Sequence, residues 1–234
     1  MISHRHKFIF VHIFKAGGTS VEDCLYNFLK SDKVYGKKLV DNVHGCPDKP
    51  VCDLSELGCE IKWLTGWTHT SHIISRVFRD FINDTEREDI WKNYFKFTFV
   101  RNPWDLLVSL YSHYVRINRM NQTFEEFLEQ TVSVKDPFNK SDNKYHVRYN
   151  SLTNMDWISD ENGNQLVDFV GRFENLQEDF NTICDKIGIP HQKLPHKNKS
   201  KHKHYTEYYD PITKQIVAEK YAKDIEYFGY KFGE

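Results

Sequence analysis

A short loop near the start of the sequence carries residues that suit an anion. The loop reads Lys15-Ala16-Gly17-Gly18-Thr19-Ser20. Its two glycines let the backbone turn tightly and approach a ligand closely. Thr19 and Ser20 would open a helix, whose first N–H groups are unpaired and carry a partial positive charge. Together with the charge of Lys15, they favour a phosphate or sulfate; a plain strand-to-helix turn capped by a hydroxyl is the alternative.

The order of residues in this loop differs from that of a Walker A loop. In a Walker A loop, a lysine follows the last glycine and precedes Ser or Thr. Here Lys15 precedes both glycines and approaches from the strand side. The order therefore disfavours a magnesium–nucleoside triphosphate site.

A second segment with anion-binding potential is FKFTFVRNPWDLLVSLYSHY, residues 95–114. Arg101 lies where a predicted strand ends, and Pro103 opens a helix. Ser109 follows Arg101 by about two helical turns, and an arginine fork and a hydroxyl at that distance can share one anion. A salt bridge within the protein is the alternative for this arginine. Ligands of parallel sheets sit at the carboxyl ends of strands, and two such ends here favour a binding site.

Strands and helices alternate around these two segments. The predicted strands are 8–13, 61–65, 95–100 and 166–173. The predicted helices are 20–29, 71–82, 103–116, 124–131, 174–187 and 213–221. The alternation predicts an α/β fold with a central parallel sheet flanked by helices.

Composition indicates one domain over residues 1–234, with loop insertions near 31–60 and 132–164. The formal net charge of −1, from 32 basic and 33 acidic residues, gives no sign of a nucleic-acid partner. No apolar run approaches the ~20 residues of a membrane span. The first residues lack the apolar core of a signal peptide, and we expect a cytoplasmic protein.

The five cysteines do not form an obvious disulfide framework. Cys24 and Cys184 fall in apolar helical stretches. Cys46, Cys52 and Cys59 cluster at a spacing that differs from the short pairs of structural zinc sites. Free thiols, one local disulfide and a zinc site stay open for these three, with free thiols favoured.

The pair KAGGTS and FVRNPWDLLVSLY resembles the two nucleotide-binding motifs of the sulfotransferases, most closely those of the carbohydrate 2-O-sulfotransferase branch and related small bacterial proteins. The resemblance continues in VGRFENLQEDF (170–180) and over 202–232. Leu106 departs from it, since many relatives have a basic residue there. The resemblance implies a P-loop-NTPase-like three-layer fold and sulfuryl transfer from 3′-phosphoadenosine 5′-phosphosulfate (PAPS), with 3′-phosphoadenosine 5′-phosphate (PAP) as product and no metal.

The resemblance also implies roles for residues. It assigns the 5′-phosphosulfate to Lys15, Ala16, Gly17, Gly18, Thr19 and Ser20. It assigns the 3′-phosphate to Arg101 and Ser109, and a basic flap at 195–205 adds Ser200, Lys201 and Lys203. A solvated basic loop is the alternative for that flap. Lys15 would also stabilise the bridging oxygen as the S–O bond breaks.

A histidine suits the task of taking the proton of the acceptor hydroxyl, because its pKa lies near neutral pH. His69, in TGWTHTSH, best matches the base of the carbohydrate-type relatives, and His72 is the second candidate. Capping or packing is the alternative for both. His12, within the first predicted strand, is expected to be a core histidine.

The acceptor implied by the resemblance is a carbohydrate hydroxyl, with 31–60 and 132–164 facing the substrate because loops at strand ends carry specificity. Two other functions stay open. One is a P-loop-type kinase for a sugar or another small molecule, which would require magnesium and ATP. The other is a non-catalytic protein that binds an anion or a glycan.

Overall fold

The computed structural model describes residues 1–3, 5–28, 34–35, 75, 79–80, 88–118, 121–137, 150–195 and 203–234. The strands are β1 (Ile2–Ser3), β2 (Phe8–Val11), β3 (Val34–Tyr35), β4 (Phe95–Val100) and β5 (Phe169–Arg172). The helices are α1 (Gly18–Phe28), α2 (Glu88–Asn93), α3 (Pro103–Asn118), α4 (Phe124–Val132), α5 (Asn154–Ile158), α6 (Leu176–Ile187), α7 (Pro211–Lys220) and α8 (Ala222–Phe228). Short 3₁₀ turns cover Phe173–Asn175 and Tyr205–Tyr208.

The chain divides into two compact units. The sheet unit comprises Met1–Val100 and Asp156–Lys197, and the helical unit comprises Arg101–Met155 and Asn198–Glu234. The chain passes from the first unit to the second directly after β4.

The sheet has the strand order β3-β1-β2-β4-β5. β2, β4 and β5 are parallel, with Phe10 opposite Phe97 and Phe97 opposite Phe169. β1 pairs antiparallel with both β2 and β3. The predicted α/β class with a parallel sheet and flanking helices is thus confirmed. The two antiparallel strands were not predicted, because two-residue strands carry no recognisable periodicity.

Phenylalanines on one face of β2 and β4 form the core of the sheet unit. Phe8, Phe10, Phe97 and Phe99 are all at most 2% exposed. Residues two apart in a strand share a face. Phe10 therefore stacks on Phe97, with ring centroids 5.1 Å apart, and meets Phe99 edge-on. Across the sheet, Gly171 makes room for Phe99, since a Cβ at Gly171 would lie 2.5 Å from Phe99 Cε1.

A buried lysine fastens the amino ends of β4 and β5. Lys96 Nζ lies 2.8 Å from a carboxylate oxygen of Asp168 and donates to the carbonyl oxygens of Trp91 and Tyr94. Asp168 also accepts the backbone N–H of Lys96 at 2.7 Å. These bonds satisfy the buried ammonium, as burial of a charge requires.

The helical unit is held by aromatic side chains with hydrogen-bonded polar ends. Trp104 Nε1 donates to the carbonyl of Lys214 at 3.1 Å, and Tyr209 donates to the carbonyl of Trp104 at 2.9 Å. Trp104, Tyr205 and Tyr209 each meet Phe232 edge-on. Buried aromatic pairs in this geometry add stability beyond the area they bury.

Helix and strand predictions match the structure best where the chain is most apolar. The strand predicted at 95–100 coincides with β4. The first strand ends at Val11, where its ladder with β4 ends, rather than at residue 13. The strand predicted over 166–173 is observed as the shorter β5. The helix after it begins at Leu176 because a 3₁₀ turn lies between them.

Helix ends follow capping groups more than apolar periodicity. α1 begins at Gly18 rather than at residue 20. α3 and α4 extend beyond their predicted ends, to Asn118 and Val132. α7 begins at Pro211 because Asp210 accepts the N–H of Thr213 at 2.7 Å and proline suits the first helical turn. α8 was not predicted; it ends at Phe228 and is capped by Gly229, with φ +66°.

The prediction that 132–164 is irregular misses α5. The N–H groups of Asn154 and Met155 donate to the fully buried carboxylate of Asp224, at 2.7 and 3.0 Å. An anionic cap at a helix N-terminus is stabilising. Its source lies 70 residues further along the chain, beyond the reach of local sequence patterns.

Other predictions are tested only in part. The strand at 61–65 and most of the helix at 71–82 lie outside the described residues, although Ser75, Arg79 and Asp80 are helical. Within the long loop predicted from residue 31, β3 is an unforeseen strand. None of the helices described has both the length and the apolar character needed to traverse a lipid bilayer.

The two cysteines predicted to lie in apolar helical stretches are in helices and are buried. Cys24 in α1 and Cys184 in α6 are free thiols, and burial raises the pKa of each. Cys46, Cys52 and Cys59 lie outside the described residues.

Candidate functional site

The loop after β2 combines backbone turns with the start of a helix. Gly17 has φ +84°, and its carbonyl accepts the N–H of Ser20 at 3.0 Å as α1 begins. Ala16 and Ser20 are buried, while Gly17 and Thr19 are half-buried. The first N–H groups of an α-helix have no partner within the helix, so this end of α1 supplies donors for an anion.

Lys15 has an unusual backbone conformation in this loop. Its φ of +62° lies in the left-handed region, which side chains with a Cβ seldom adopt. Such conformations cluster at ligand sites, where the surrounding structure maintains them. The side chain is half-buried, with Nζ 6.0 Å from the centroid of the Phe14 ring. The loop thus places a cation beside the start of α1.

The two glycines of the loop are needed for different reasons. Gly17 requires glycine for its positive φ, and a Cβ there would lie 3.0 Å from Leu176 Cδ2. Gly18 lies against the ring of His12, and a Cβ there would lie 2.0 Å from His12 Cδ2. Backbone freedom, the reason expected from the sequence for both glycines, does not account for the packing of His12 on Gly18.

His12 lies just after β2 and is 4% exposed, in agreement with the expected core role. Its Nδ1 is 3.2 Å from Glu22 Oε2, and Glu22 on α1 is also 4% exposed. Glu22 was not predicted as a partner of His12, because only the strand–turn–helix geometry brings the two residues together.

The segment after β4 presents Arg101 in an ion pair. Arg101 is 7% exposed, and its Nε and Nη2 each lie 2.8 Å from Asp105 Oδ2. The expected alternative, a salt bridge within the protein, is therefore present. The i, i+4 spacing was available in the sequence as a signal for it. A guanidinium has five N–H donors, so this pair does not exhaust its capacity for an anion.

Asn154 fixes the backbone of Arg101. Its Nδ2 donates to the carbonyl of Arg101 at 3.0 Å, and Asn154 is fully buried. Close by, Tyr209 has a pKa well above its usual value, chiefly through burial, with the Asp105 carboxylate as a lesser cause. Tyr209 is therefore neutral at physiological pH and adds no charge to the pair of Arg101 and Asp105.

The remaining predicted residues differ in their settings. Ser109, on α3, is 2% exposed. Lys203 is largely exposed, and its Nζ lies 3.8 Å from Glu207. His69, His72, Ser200 and Lys201 lie outside the described residues.

These settings test whether the residues fit PAPS. The loop offers helix N–H donors and Lys15, which is the donor set that a phosphosulfate requires. Arg101 offers a guanidinium for a phosphate. The phosphate would have to displace Asp105 from this guanidinium or share the guanidinium with Asp105. In the ranges that the structure describes, no group of three His, Cys, Asp or Glu side chains could hold a metal ion.

Comparisons with known proteins address the family. The model of the sulfotransferase family matches residues 1–231. An uncharacterized protein of Archaeoglobus fulgidus is 33% identical over 106 residues, which cover 44% of this chain and 75% of that protein. The crystal structure of a sulfotransferase from Alicyclobacillus acidocaldarius aligns at 14% identity with a TM-score of 0.48, over 94% of this chain and 92% of that chain. Because the family model matches nearly the whole sequence, this chain belongs to the sulfotransferase family.

Proposed function

We propose that the protein transfers a sulfuryl group from PAPS to a hydroxyl of a carbohydrate. Membership of the family makes it a sulfotransferase, and the family generally uses PAPS as donor. The observation that carries the proposal is the loop after β2, where left-handed Lys15 and Gly17 lead into the N-terminus of α1. That arrangement supplies both a cation and backbone N–H donors.

In this proposal, the loop binds the 5′-phosphosulfate. N–H groups at the start of α1, from Gly18 and Thr19, face the phosphate oxygens, and the hydroxyls of Thr19 and Ser20 add donors. Ala16 contributes backbone only. Lys15 neutralises the charge that develops on the bridging oxygen, which lowers the barrier to S–O cleavage.

The 3′-phosphate is assigned to Arg101 and Ser109, with Ser200, Lys201 and Lys203 as further contacts. The burial of Arg101 supports the assignment, because a charge-assisted hydrogen bond is stronger away from water. The exposed Lys203 can contribute only a weaker, screened attraction.

The transfer step needs an acceptor oxygen in line with the breaking bond. The acceptor oxygen forms a bond to sulfur while the bond from sulfur to the phosphate oxygen breaks, and PAP leaves with the electron pair. His69 takes the hydroxyl proton, and His72 is the second candidate. Segments 31–60 and 132–164 select the carbohydrate.

Calorimetric titration with PAP, with Mg–ATP as control, is the first test. Metal-independent PAP binding that is at least about tenfold tighter than ATP binding would support the donor assignment, since specific phosphate contacts are each worth about 1.5–3 kcal/mol. Preference for Mg–ATP would contradict it and favour a kinase. A screen of saccharides with PAPS then identifies the acceptor, and the absence of sulfated product from every saccharide would overturn the carbohydrate part.

His69→Ala tests the base. Turnover should fall by about 100- to 10,000-fold, the usual loss when a general base is removed, while PAP affinity stays within about twofold of wild type. His72→Ala is the matched control, and full activity in His69→Ala would move the role to His72.

A further inference from the structure

The ring of His12 lies between the end of β2 and the start of α1. It stacks on Phe10, with centroids 5.6 Å apart and planes 20° apart. A Cβ on Gly18 would lie 2.0 Å from Cδ2 and 2.2 Å from Nε2 of this ring. The imidazole therefore touches the backbone of the first residue of α1, where the phosphate-binding donors of the proposed function begin.

Glu22 holds the ring from the other side. Nδ1 of His12 lies 3.2 Å from Glu22 Oε2, and the two side chains are only 4% and 5% exposed. Nδ1 thus faces this carboxylate, while Nε2 lies on the side of Gly18. Because Glu22 lies on α1 itself, the contact ties the ring to the same helix whose first residue it touches.

We infer that His12, held by Glu22, is a positioning residue. It fixes the positions of Gly17 and Gly18 and so orients the N–H donors and Lys15 toward the transferred group. This inference rests on the proposed function. The ring has no need to touch the donor, since it acts through the loop backbone. A displaced loop would weaken the binding of every ligand with a 5′-phosphate.

His12 would restrict the conformational freedom of the loop before any ligand binds. Rings packed between two rigid elements lose little further freedom when a ligand binds, so a loop braced by such a ring is preorganised. Purely structural buried ion pairs add little stability compared with apolar pairs of the same size. A loss of PAP affinity beyond the loss of stability would distinguish positioning from packing.

The test compares His12→Asn and Glu22→Gln with Asp168→Asn. Asparagine keeps an N–H near the place of Nδ1 but removes the ring from Gly18, whereas glutamine keeps the size of the Glu22 side chain but loses its charge. Asp168→Asn weakens a second ion pair of the sheet unit, between the buried Lys96 and the exposed Asp168, at the opposite ends of the strands. We expect the dissociation constant of PAP to rise about tenfold or more in His12→Asn, and less in Glu22→Gln, with Asp168→Asn unchanged.

The melting temperature and the donor KM complete the test. Positioning predicts a higher KM for PAPS in both variants even where their melting temperatures match that of Asp168→Asn. Unchanged PAP affinity, within about twofold, in folded His12→Asn and Glu22→Gln would overturn the inference. If His12→Asn does not fold, Glu22→Gln decides, because its side chain has the size of the original.

Hydrogen exchange without ligand separates this inference from the proposed function. The amides of Gly17 to Ser20 should exchange faster in His12→Asn and Glu22→Gln than in wild type, and at the wild-type rate in Asp168→Asn. If wild type binds no PAP, the proposed function fails; faster exchange would still support a braced loop. Unchanged exchange would overturn the bracing itself.

Discussion

The loop after β2 and the segment after β4 both follow a parallel strand, yet they offer an anion different things. The first relies on backbone geometry, with positive φ at Lys15 and Gly17 and the start of α1 at Gly18. The second relies on one side chain, Arg101, which is buried and paired with Asp105 at 2.8 Å.

This difference predicts how each region responds to substitution. Backbone donors persist when a side chain is removed, so substitutions there act chiefly through the charge of Lys15 or the conformation of the loop. The arginine site depends chiefly on the guanidinium of Arg101, whose charge Asp105 already balances in part. We therefore expect the first region to govern catalysis and the second to govern recognition of the 3′-phosphate.

Among substitutions in these two regions, the largest effect is expected for Lys15→Ala. Alanine in the left-handed region carries about the same strain as lysine, so the variant removes the ammonium and its aliphatic stem without changing the backbone strain. Turnover should fall by about 100- to 1,000-fold, the loss typical of one group that stabilises developing charge. The measurement is transfer of radiolabelled sulfate from PAPS to the saccharide that the screen identifies.

Lys7→Ala is the matched control for Lys15→Ala. Lys7 is the other described non-glycine residue with positive φ, at 48°, and its side chain is exposed in the turn before β2. It should retain wild-type turnover. Equal losses of turnover in the two variants would show that removal of any lysine from the sheet unit has this effect and that the effect is not specific to the loop.

A second variant, Arg101→Ala, should separate ligands by their 3′-phosphate. PAP affinity should fall by about 10- to 100-fold, because a charge-assisted hydrogen bond contributes about 1.5–3 kcal/mol. The affinity for adenosine 5′-phosphate should not change, whereas Lys15→Ala should weaken both ligands. Calorimetry with the two nucleotides measures the contrast.

Arg79→Ala serves as control for Arg101→Ala, since it also removes an arginine paired with an aspartate, at 2.7 Å. A preference for PAP over adenosine 5′-phosphate that survives Arg101→Ala would break the comparison between the two regions.

Gly17→Ala should have an intermediate effect on binding. Gly163 has the same φ of +84°, but a Cβ there would meet no atom within 4 Å, whereas a Cβ on Gly17 would meet Leu176 at 3.0 Å. Both alanine variants should lose about 1–2 kcal/mol of unfolding free energy from the left-handed backbone. Only Gly17→Ala should also weaken PAP, by about tenfold, through displacement of the loop.

Denaturant unfolding and calorimetry on both glycine variants provide the measurement. If Gly163→Ala weakens PAP as much as Gly17→Ala does, the loop has no special role and the comparison fails.

The smallest effect on binding is expected for Asn154→Ala. The carbonyl of Arg101 would lose its buried donor, which should cost about 1–3 kcal/mol of unfolding free energy. PAP affinity should fall only a few-fold, because the guanidinium itself remains. Asn181→Ala, which removes a hydrogen bond at the surface, is the control and should change neither quantity. A loss of PAP affinity as large as that of Arg101→Ala would show that backbone placement dominates here too.

Residues near each other in sequence were predictable in both regions. Apolar runs marked β2 and β4, and the glycines and Pro103 marked the turns into helices, because local sterics and capping act within a few residues. The i, i+4 pair of Arg101 and Asp105 belongs to the same class, although Asp105 was not predicted as the partner. The base stays a prediction, since His69 and His72 lie outside the described residues.

By itself, the sequence determined the α/β class and the family resemblance, and it predicted an anion-binding loop at Lys15. Only the tertiary structure decided that His12 packs on Gly18, that Asn154 holds the Arg101 backbone and that Asp224 caps α5. The reason is the distance along the chain. Contacts between residues tens of positions apart depend on how whole elements pack, and no local pattern encodes that packing.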